Sequence, residues 1–365
     1  MMKDGLSVTA GLAEDGMTAR GVLVRAKGVS QRLIRKIKYG EGETAGALYV
    51  NGRTARFKDK VKAGDEIRLV FPGDESRFEP QDIELSVLYE DDDLLVIDKQ
   101  PGIVVHPTRG HREGTIANAV TFYMKERGEK YIPRFVSRLD MNTSGVLLIG
   151  KNSHIQDSLA KQGKAGNVEK IYIAVLEGRL EDDLPASGII DLPIGLPDTE
   201  DPRRAAMAED EGGYPSQTEY EVIDPRHAVM AEGEGGYPSQ TVHEMIDPRR
   251  AFMLDGKGVY PSQAAYDEEM SCGAQEDGQD NENRHFCLTV VRIRLLTGRT
   301  HQIRVHFSHY GHPVLGDELY GRPAPLIGRQ ALHAAEFAFA HPVDGRPVCI
   351  KAPLPADMAR VISLL

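Results

Sequence analysis

Residues 136–152 read VSRLDMNTSGVLLIGKN, and this run organises the rest of the chain around it. Its first part is extended, with Arg138 and Asp140 on one face and Leu139 turned towards a core, because side chains alternate along a strand. The chain turns through Asn142–Gly145 and continues as VLLIG, an apolar run that reads as a buried strand. An Asp followed by Asn, Thr, Ser and Gly also makes an ordinary turn whose side chains satisfy the backbone, and that reading stays open.

On the N-terminal side, residues 94–98 (LLVID) and 103–107 (IVVHP) read as two strands joined by a type II turn at Gln100-Pro101-Gly102. Residues 115–128 (TIANAVTFYMKERG) have the spacing of an amphipathic helix. On the C-terminal side follow a helix at 154–163 (HIQDSLAKQG) and strands at 170–178 (KIYIAVLEG), 218–223 (TEYEVI) and 285–298 (HFCLTVVRIRLLTG). A helix at 299–311 (RTHQIRVHFSHYG) comes next, and LHAAEFAFAHP with VCIKAPLP closes the sheet. This order predicts an α+β unit over 82–365 with a mostly antiparallel or mixed central sheet.

Ahead of it, 20–72 forms a smaller α/β unit, and 73–81 reads as a polar linker. Ser30 caps a short helix, SQRLIRKIKYG, with Leu33, Ile34 and Ile37 on one side and Arg32, Arg35, Lys36 and Lys38 around the rest. ALYVNGRTARF is a hairpin through Asn51-Gly52. Residues 1–19 show little apolar periodicity and are expected to be a mobile tail.

At 365 residues and 41% apolar content the chain suits a globular protein with a sizeable core. It has no apolar run long enough to span a bilayer and no signal-peptide pattern at its start. Its three cysteines form no CxxC pair, which favours a reducing, cytoplasmic setting. Net charge is −11, yet residues 20–71 hold 13 Lys/Arg against 5 Asp/Glu, while 198–283 hold 6 against 21. The acidity belongs to one segment, so a polyanionic partner stays open, and the basic helix is its candidate surface.

That acidic segment contains a 23-residue tandem repeat starting at Asp201, Asp224 and Asp247. Copies one and two agree at 17 of 23 positions, copies one and three at 12, and GGYPSQT at 212–218 decays to GVYPSQA at 258–264. The alternation of TEYEVI is lost in copy three. Copy one is therefore expected to be a working hairpin, with the later copies an acidic, solvated expansion inside about 201–283 and a disordered stretch at 271–284.

Three groups of residues could carry chemistry. The first is Arg138 with Asp140. The second is Arg299, Thr300, His301, Gln302 and Arg304, crowded where a buried strand ends and a helix begins, a set of donors for phosphate or a carboxylate. Metal binding by His301, His306, His309 and His312 is disfavoured, since their spacing matches no zinc pattern and no carboxylate or CxxC accompanies them. The third is Tyr172, at the start of a buried strand, a core residue or a stacking face for a base.

LLVIDKQPGIVVHP, VSRLDMNTSGVLLIGKN, KIYIAVLEG, LLTGRTHQIRVHFSHYGHPVLGDELYG and LHAAEFAFAHP, in this order, resemble the RluA-type pseudouridine synthases, and 20–72 resembles an S4 RNA-binding domain. The resemblance implies the pseudouridine synthase fold and the isomerisation of selected uridines in RNA. The N1–C1′ bond breaks, the uracil turns, and C5 bonds to C1′. It implies that Asp140 is the essential carboxylate, that Tyr172 stacks on the base and takes part in removing the C5 proton, and that Arg304 pairs with Asp140. Arg138 is expected to hold the RNA with its base extruded. Arg299, His301 and Gln302, with Arg32, Arg35, Lys36 and Lys38 of the basic helix, are expected RNA contacts. No cofactor or metal is implied, the partner is RNA, with large-subunit ribosomal RNA ahead of transfer RNA, and a monomer is expected.

The chemistry agrees with those roles. Breaking a glycosidic bond builds positive charge at C1′, which a carboxylate can stabilise or trap. An extruded base needs an aromatic face to offset its lost stacking. Two departures stand out: Ser137 occupies a place where the family often has His, and the Lys99-Gln100-Pro101-Gly102 turn has its proline moved by one. A non-catalytic RNA-binding protein is the competing reading, against which stand Asp140, Tyr172 and Arg304. A hydrolase with two flanking carboxylates lacks a second acid near the motifs.

Overall fold

In the computed structural model, which describes residues 5–39, 46–71, 76, 78–108, 110–225 and 287–365, three hydrophobic clusters form the cores, one in a smaller unit and two in a larger one. The first belongs to an N-terminal unit of strand β1 (Gly5–Thr9), helices α1 (Ala19–Lys27) and α2 (Gln31–Tyr39), and strands β2 (Ala47–Val50), β3 (Arg53–Thr54) and β4 (Glu66–Val70). Its sheet runs β1-β4-β2-β3.

The expected mobile tail is corrected here. Gly5–Thr9 pairs antiparallel with β4 along its whole length, and Leu6 and Ala10 are buried. The sequence LSVTA carries a period-two pattern, but it is short and its partner strand lies about 60 residues away, in β4. The helix ARGVLVRAK follows, capped by Thr18 and closed by Gly28 at φ 60.

The larger unit follows with β5 (Ser86–Glu90), β6 (Leu94–Lys99), α3 (Ile116–Glu126), β7 (Arg134–Phe135), β8 (Ser144–Gly150), α4 (Ser153–Lys164) and β9 (Glu169–Glu177). Next come β10 (Ser187–Asp191), β11 (Ile194–Gly195), β12 (Ala205–Ala206), β13 (Gln217–Val222) and β14 (Leu288–Leu295). The chain ends with α5 (Gln302–His309), β15 (Leu332–Ala340), β16 (Pro347–Lys351) and α6 (Ala356–Ile362). Ten strands form one sheet in the order β10-β13-β14-β9-β15-β8-β6-β5, with β16 on β15 and β7 on β8. Every pairing is antiparallel except β8 with β15, so the sheet is mixed, as the element order predicts.

The parallel junction matters because it seats the turn before β8. Gly145, at φ 109, lies against β15, and a Cβ there would stand 2.2 Å from the Ala334 carbonyl oxygen. Only glycine allows that approach. All seven residues of β8 are buried, which fixes where the preceding turn emerges.

Two further expectations change. IVVHP is not a strand; residues 103–106 continue without sheet pairing and carry Val105 into the core. The stretch expected to be a polar linker is partly docked: Phe78 packs on the main core, and Asn118 of α3 donates to the Glu79 carbonyl at 2.8 Å.

Copy one of the repeat is built into the fold. Its β13 pairs with β10 on one side and β14 on the other, and β12 pairs with β11. The glycine pair of GGYPSQT is a steric requirement, since a Cβ on Gly213 would lie 2.1 Å from the Met207 carbonyl oxygen. Copy three has Val259 at the matching sequence position. Apart from Asp224 and Pro225, copies two and three and the stretch 271–284 lie outside the described residues.

Candidate active site

A cleft of about 590 Å³ opens where the turn before β8, the start of β9 and the entry to α5 meet. Its lining includes Arg138, Asp140, Lys170, Tyr172, Arg299, His301 and Arg304. That volume falls within the roughly 300–1,000 Å³ typical of small-molecule sites.

Asp140 sits in the turn after β7, with 27% of its side chain exposed. The turn is held from behind by buried cations. Lys99, with no exposed surface, donates to the carbonyls of Gln100 (2.9 Å), Met141 (2.8 Å) and Thr143 (2.9 Å). Arg329 donates to the Asn142 carbonyl at 3.1 Å while its other nitrogens clamp Asp357 at 2.7 and 2.9 Å. Three consecutive carbonyls, 141 to 143, are thus each fixed by a buried positive group. Burial pushes the Lys99 ammonium down, to about 7, against the pull of Asp140's charge. A carbonyl is held more strongly by a charged donor, so this strut is firmest below that pH.

Arg304 enters from the first turn of α5. Its Nη1 donates to Asp140 Oδ2 at 3.1 Å, and its Nε and Nη2 donate to the two oxygens of Asp317 at 2.6 and 2.7 Å. Asp317 has no exposed surface and also accepts from the backbone of Leu319 and Tyr320. The bidentate clamp fixes the guanidinium plane, so the remaining nitrogen is aimed at Asp140. The Tyr320 ring packs against it, 5.0 Å from guanidinium carbon to ring centre.

His301 precedes α5 in the left-handed conformation, φ 58 and ψ 19. A non-glycine residue held there costs on the order of 1–3 kcal/mol and marks a site with a geometric demand. The Tyr320 hydroxyl accepts from the Arg204 backbone N–H at 2.7 Å and shares a hydrogen bond with His301 Nδ1 at 2.8 Å. The other ring nitrogen, Nε2, faces Asp140 Oδ1 at 3.9 Å. Burial lowers the His301 pKa, and Asp140's charge opposes the shift, so the ring favours its neutral form at neutral pH.

Tyr172 lies on β9 with 8% of its surface exposed, against the cleft. Burial first, and Asp140's charge second, push its hydroxyl above the usual phenol range. Arg138 is exposed on the rim, its Nη2 3.5 Å from Thr300 Oγ1. Arg299 is exposed as well, its Nε donating to the Pro215 carbonyl at 3.1 Å.

The expectation for Gln302 is corrected. It is 2% exposed, its amide nitrogen donates to the Gln217 carbonyl and Thr218 Oγ1, and its oxygen accepts from Arg299 N and Thr297 Oγ1. Its hydrogen-bonding capacity is spent tying α5 to β13, so it braces the site and offers RNA nothing. The four neighbouring histidines take separate partners: His301 faces Tyr320, His306 the Leu192 carbonyl, His312 Glu177 O and Asp183, and His309 packs edgewise on Tyr310. Arg32, Arg35, Lys36 and Lys38 lie exposed on α2, and none of them lines the cleft.

Asp317 and Tyr320 were missed from the sequence, although GDELYG contains both. The signal was available in principle: a buried arginine facing one partly exposed carboxylate needs a second partner. GGYPSQT likewise supplies Pro215, Gln217 and Thr218 to the wall behind the site, so its first copy is no ornament.

Comparison with known proteins agrees with this geometry. Residues 93–309 match the family described as RNA pseudouridylate synthase. The chain is 32% identical over 337 residues to the uncharacterized RNA pseudouridine synthase YjbO of Bacillus subtilis, covering 92% of this chain and 95% of that protein. It is 32% identical over 338 residues to the ribosomal large subunit pseudouridine synthase D of Xanthomonas campestris, covering 88% and 82%. It is 30% identical over 337 residues to the protein of that name in Escherichia coli K12, covering 87% and 82%. The chain belongs to the RNA pseudouridylate synthase family and is an enzyme that isomerises uridine in RNA to pseudouridine.

Proposed function

We propose that Asp140 is the catalytic carboxylate of this isomerase and that its substrate is large-subunit ribosomal RNA. The observation that carries the first part is the Arg304 clamp: a guanidinium fixed by buried Asp317 presents its last nitrogen to Asp140 at the floor of the cleft. The pair leaves Asp140 Oδ1 facing His301 and the open cleft, where a ribose can lie. Positive charge develops at C1′ as N1 departs, and a preorganised carboxylate is the group suited to meet it. Attack at C1′ and removal of a ribose proton both use the same oxygen in the same place.

Tyr172 offers the extruded uracil an aromatic face, which offsets part of the unstacking cost. Because its hydroxyl is held above the usual range, it starts the cycle as a neutral phenol. As it carries no resting negative charge, it takes up the C5 proton only while passing its own to a carboxylate, and Asp140 is the one whose charge it feels. Arg138, on the rim, meets the RNA backbone where the base leaves the stack.

The choice of ribosomal RNA rests on the names of the relatives, two of which are ribosomal large subunit enzymes. The N-terminal unit, with its exposed basic α2, acts as an S4-type RNA-binding module that raises affinity without entering the cleft. Pseudouridine mapping of total RNA from cells with and without this protein tests the assignment. Loss of pseudouridine at discrete large-subunit positions is expected, and loss confined to transfer RNA would replace the substrate.

A further inference from the structure

We propose that Tyr214 and Arg299 form a base-stacking subsite on the rim of the cleft, which takes the nucleobase next to the target uridine. This rests on reading the cleft as the uridine site and adds a determinant of which RNA sequence enters it.

Tyr214 is 63% exposed, yet the backbone that carries it is fixed. Its N–H and C=O both pair with Ile194, at 2.9 and 3.0 Å, and Ser216 Oγ donates to its carbonyl at 2.8 Å. The preceding Gly213 is buried in contact with Met207, with no room for a side chain. A large aromatic ring held out in solvent from a rigid hairpin has lost little freedom still to be lost on binding. The ring also has a partner facing the cleft. The Arg299 guanidinium carbon lies 5.5 Å from its centre, within cation–π range, and the Pro215 carbonyl anchors Arg299 Nε. Arg299 itself lines the cleft with Asp140 and Tyr172. The guanidinium over the tyrosine ring therefore links an exposed aromatic side chain to the edge of the catalytic site.

The occupant is a nucleobase. Successive bases of single-stranded RNA stack on aromatic and guanidinium faces, and an extruded uridine leaves its neighbour without a stacking partner on one side. A phosphate is disfavoured, because Glu209, Asp210 and Glu211 occupy the same hairpin just before Tyr214. Arg138 supplies the cation for phosphate from the turn that carries Asp140.

The test uses the full chain and short single-stranded RNAs containing one uridine. 2-Aminopurine is placed either next to the uridine or several nucleotides away. The wild type is expected to quench the adjacent probe and leave the distant one unchanged. Tyr214→Ala should lose the adjacent quenching and bind on the order of 10-fold more weakly, the size of one base–aromatic stack. Tyr214→Phe should restore both, and Arg299→Lys, which keeps the charge and loses the plane, should weaken the quenching. Equal adjacent quenching and affinity in Tyr214→Ala, or no adjacent quenching in the wild type, would overturn the subsite. The readout needs no turnover, so it is independent of the catalytic reading: quenching without pseudouridine formation would sink that reading and keep the subsite. Protection of Tyr214 by a protein partner, with no effect on RNA, would also count against it.

Discussion

Helix α2 and the floor of the cleft use the same residue types in opposite ways. On α2, Arg32, Arg35, Lys36 and Lys38 are exposed around a helix whose apolar side, Leu33, Ile34 and Ile37, holds it on the N-terminal core. Behind the cleft, Lys99, Arg304 and Arg329 are buried, and each is fixed by acceptors at 3.4 Å or less. Exposed cations are screened by salt and create a diffuse field, worth little to stability one at a time. Buried cations cannot be removed singly without stranding their partners, so they set geometry. A positive residue in this chain thus attracts RNA or shapes the site according to burial, and the sequence alone does not separate the two.

Breaking a strut is expected to have the largest effect. Arg304→Lys keeps the charge but loses the fork that holds Asp317 and reaches Asp140. It should destabilise the fold by about 3 kcal/mol, in line with breaking a buried pair, and reduce pseudouridine formation by about 100-fold or more. Denaturant melts and single-turnover rates on the same sample check both. A stable variant with normal rates would mean that the clamp is not what aims Asp140.

Replacing Arg32, Arg35, Lys36 and Lys38 together with Gln should do the reverse. The melting midpoint should barely move, while RNA affinity at low salt falls about 10-fold or more and the slope of log affinity against log salt becomes shallower by roughly 3. The single-turnover rate on saturating RNA should remain unchanged. An unaltered salt slope would remove α2 from the RNA surface.

The smallest effect concerns a carboxylate on β6. Burial pushes Asp98 up to about 6, against the Gly145 backbone bond and the Lys99 charge. Its folded pKa is raised above its unfolded value, so the stability it contributes is present below about pH 4 and is lost as pH rises through about 6. Asp98→Asn should therefore raise the melting temperature at pH 7.5 by a few degrees and change little at pH 4. Equal shifts at both pH values would show that the charge is not the cause.

Much of the fold could be read because its strands are local and apolar: VLLIG, KIYIAVLE and LTVVRIRL all appear in the sheet. The pairing of Asp140 with Arg304 was also expected, through the family resemblance. What escaped depended on distant partners. LSVTA is a strand only because β4 arrives to pair with it. IVVHP has the composition of a strand but finds no partner. Asp317 looks like a surface acid in GDELYG and is in fact buried under Arg304. Gln302 looks like an RNA contact beside four cationic or polar neighbours, yet β13 and the loop before α5 take its hydrogen bonds. Copy one of the repeat stood out by its recurrence, which says nothing about packing; its glycines and carbonyls give it a place in the site wall.

The central claim is that Asp140, aimed by Arg304, performs the isomerisation. Tritium release from large-subunit RNA labelled at uridine C5 measures it directly, with wild type and Asp140→Asn compared at matched RNA occupancy. Release by the wild type and none above background by the variant, with RNA binding kept within a few-fold, is the result the structure predicts. Undiminished release from Asp140→Asn would contradict it.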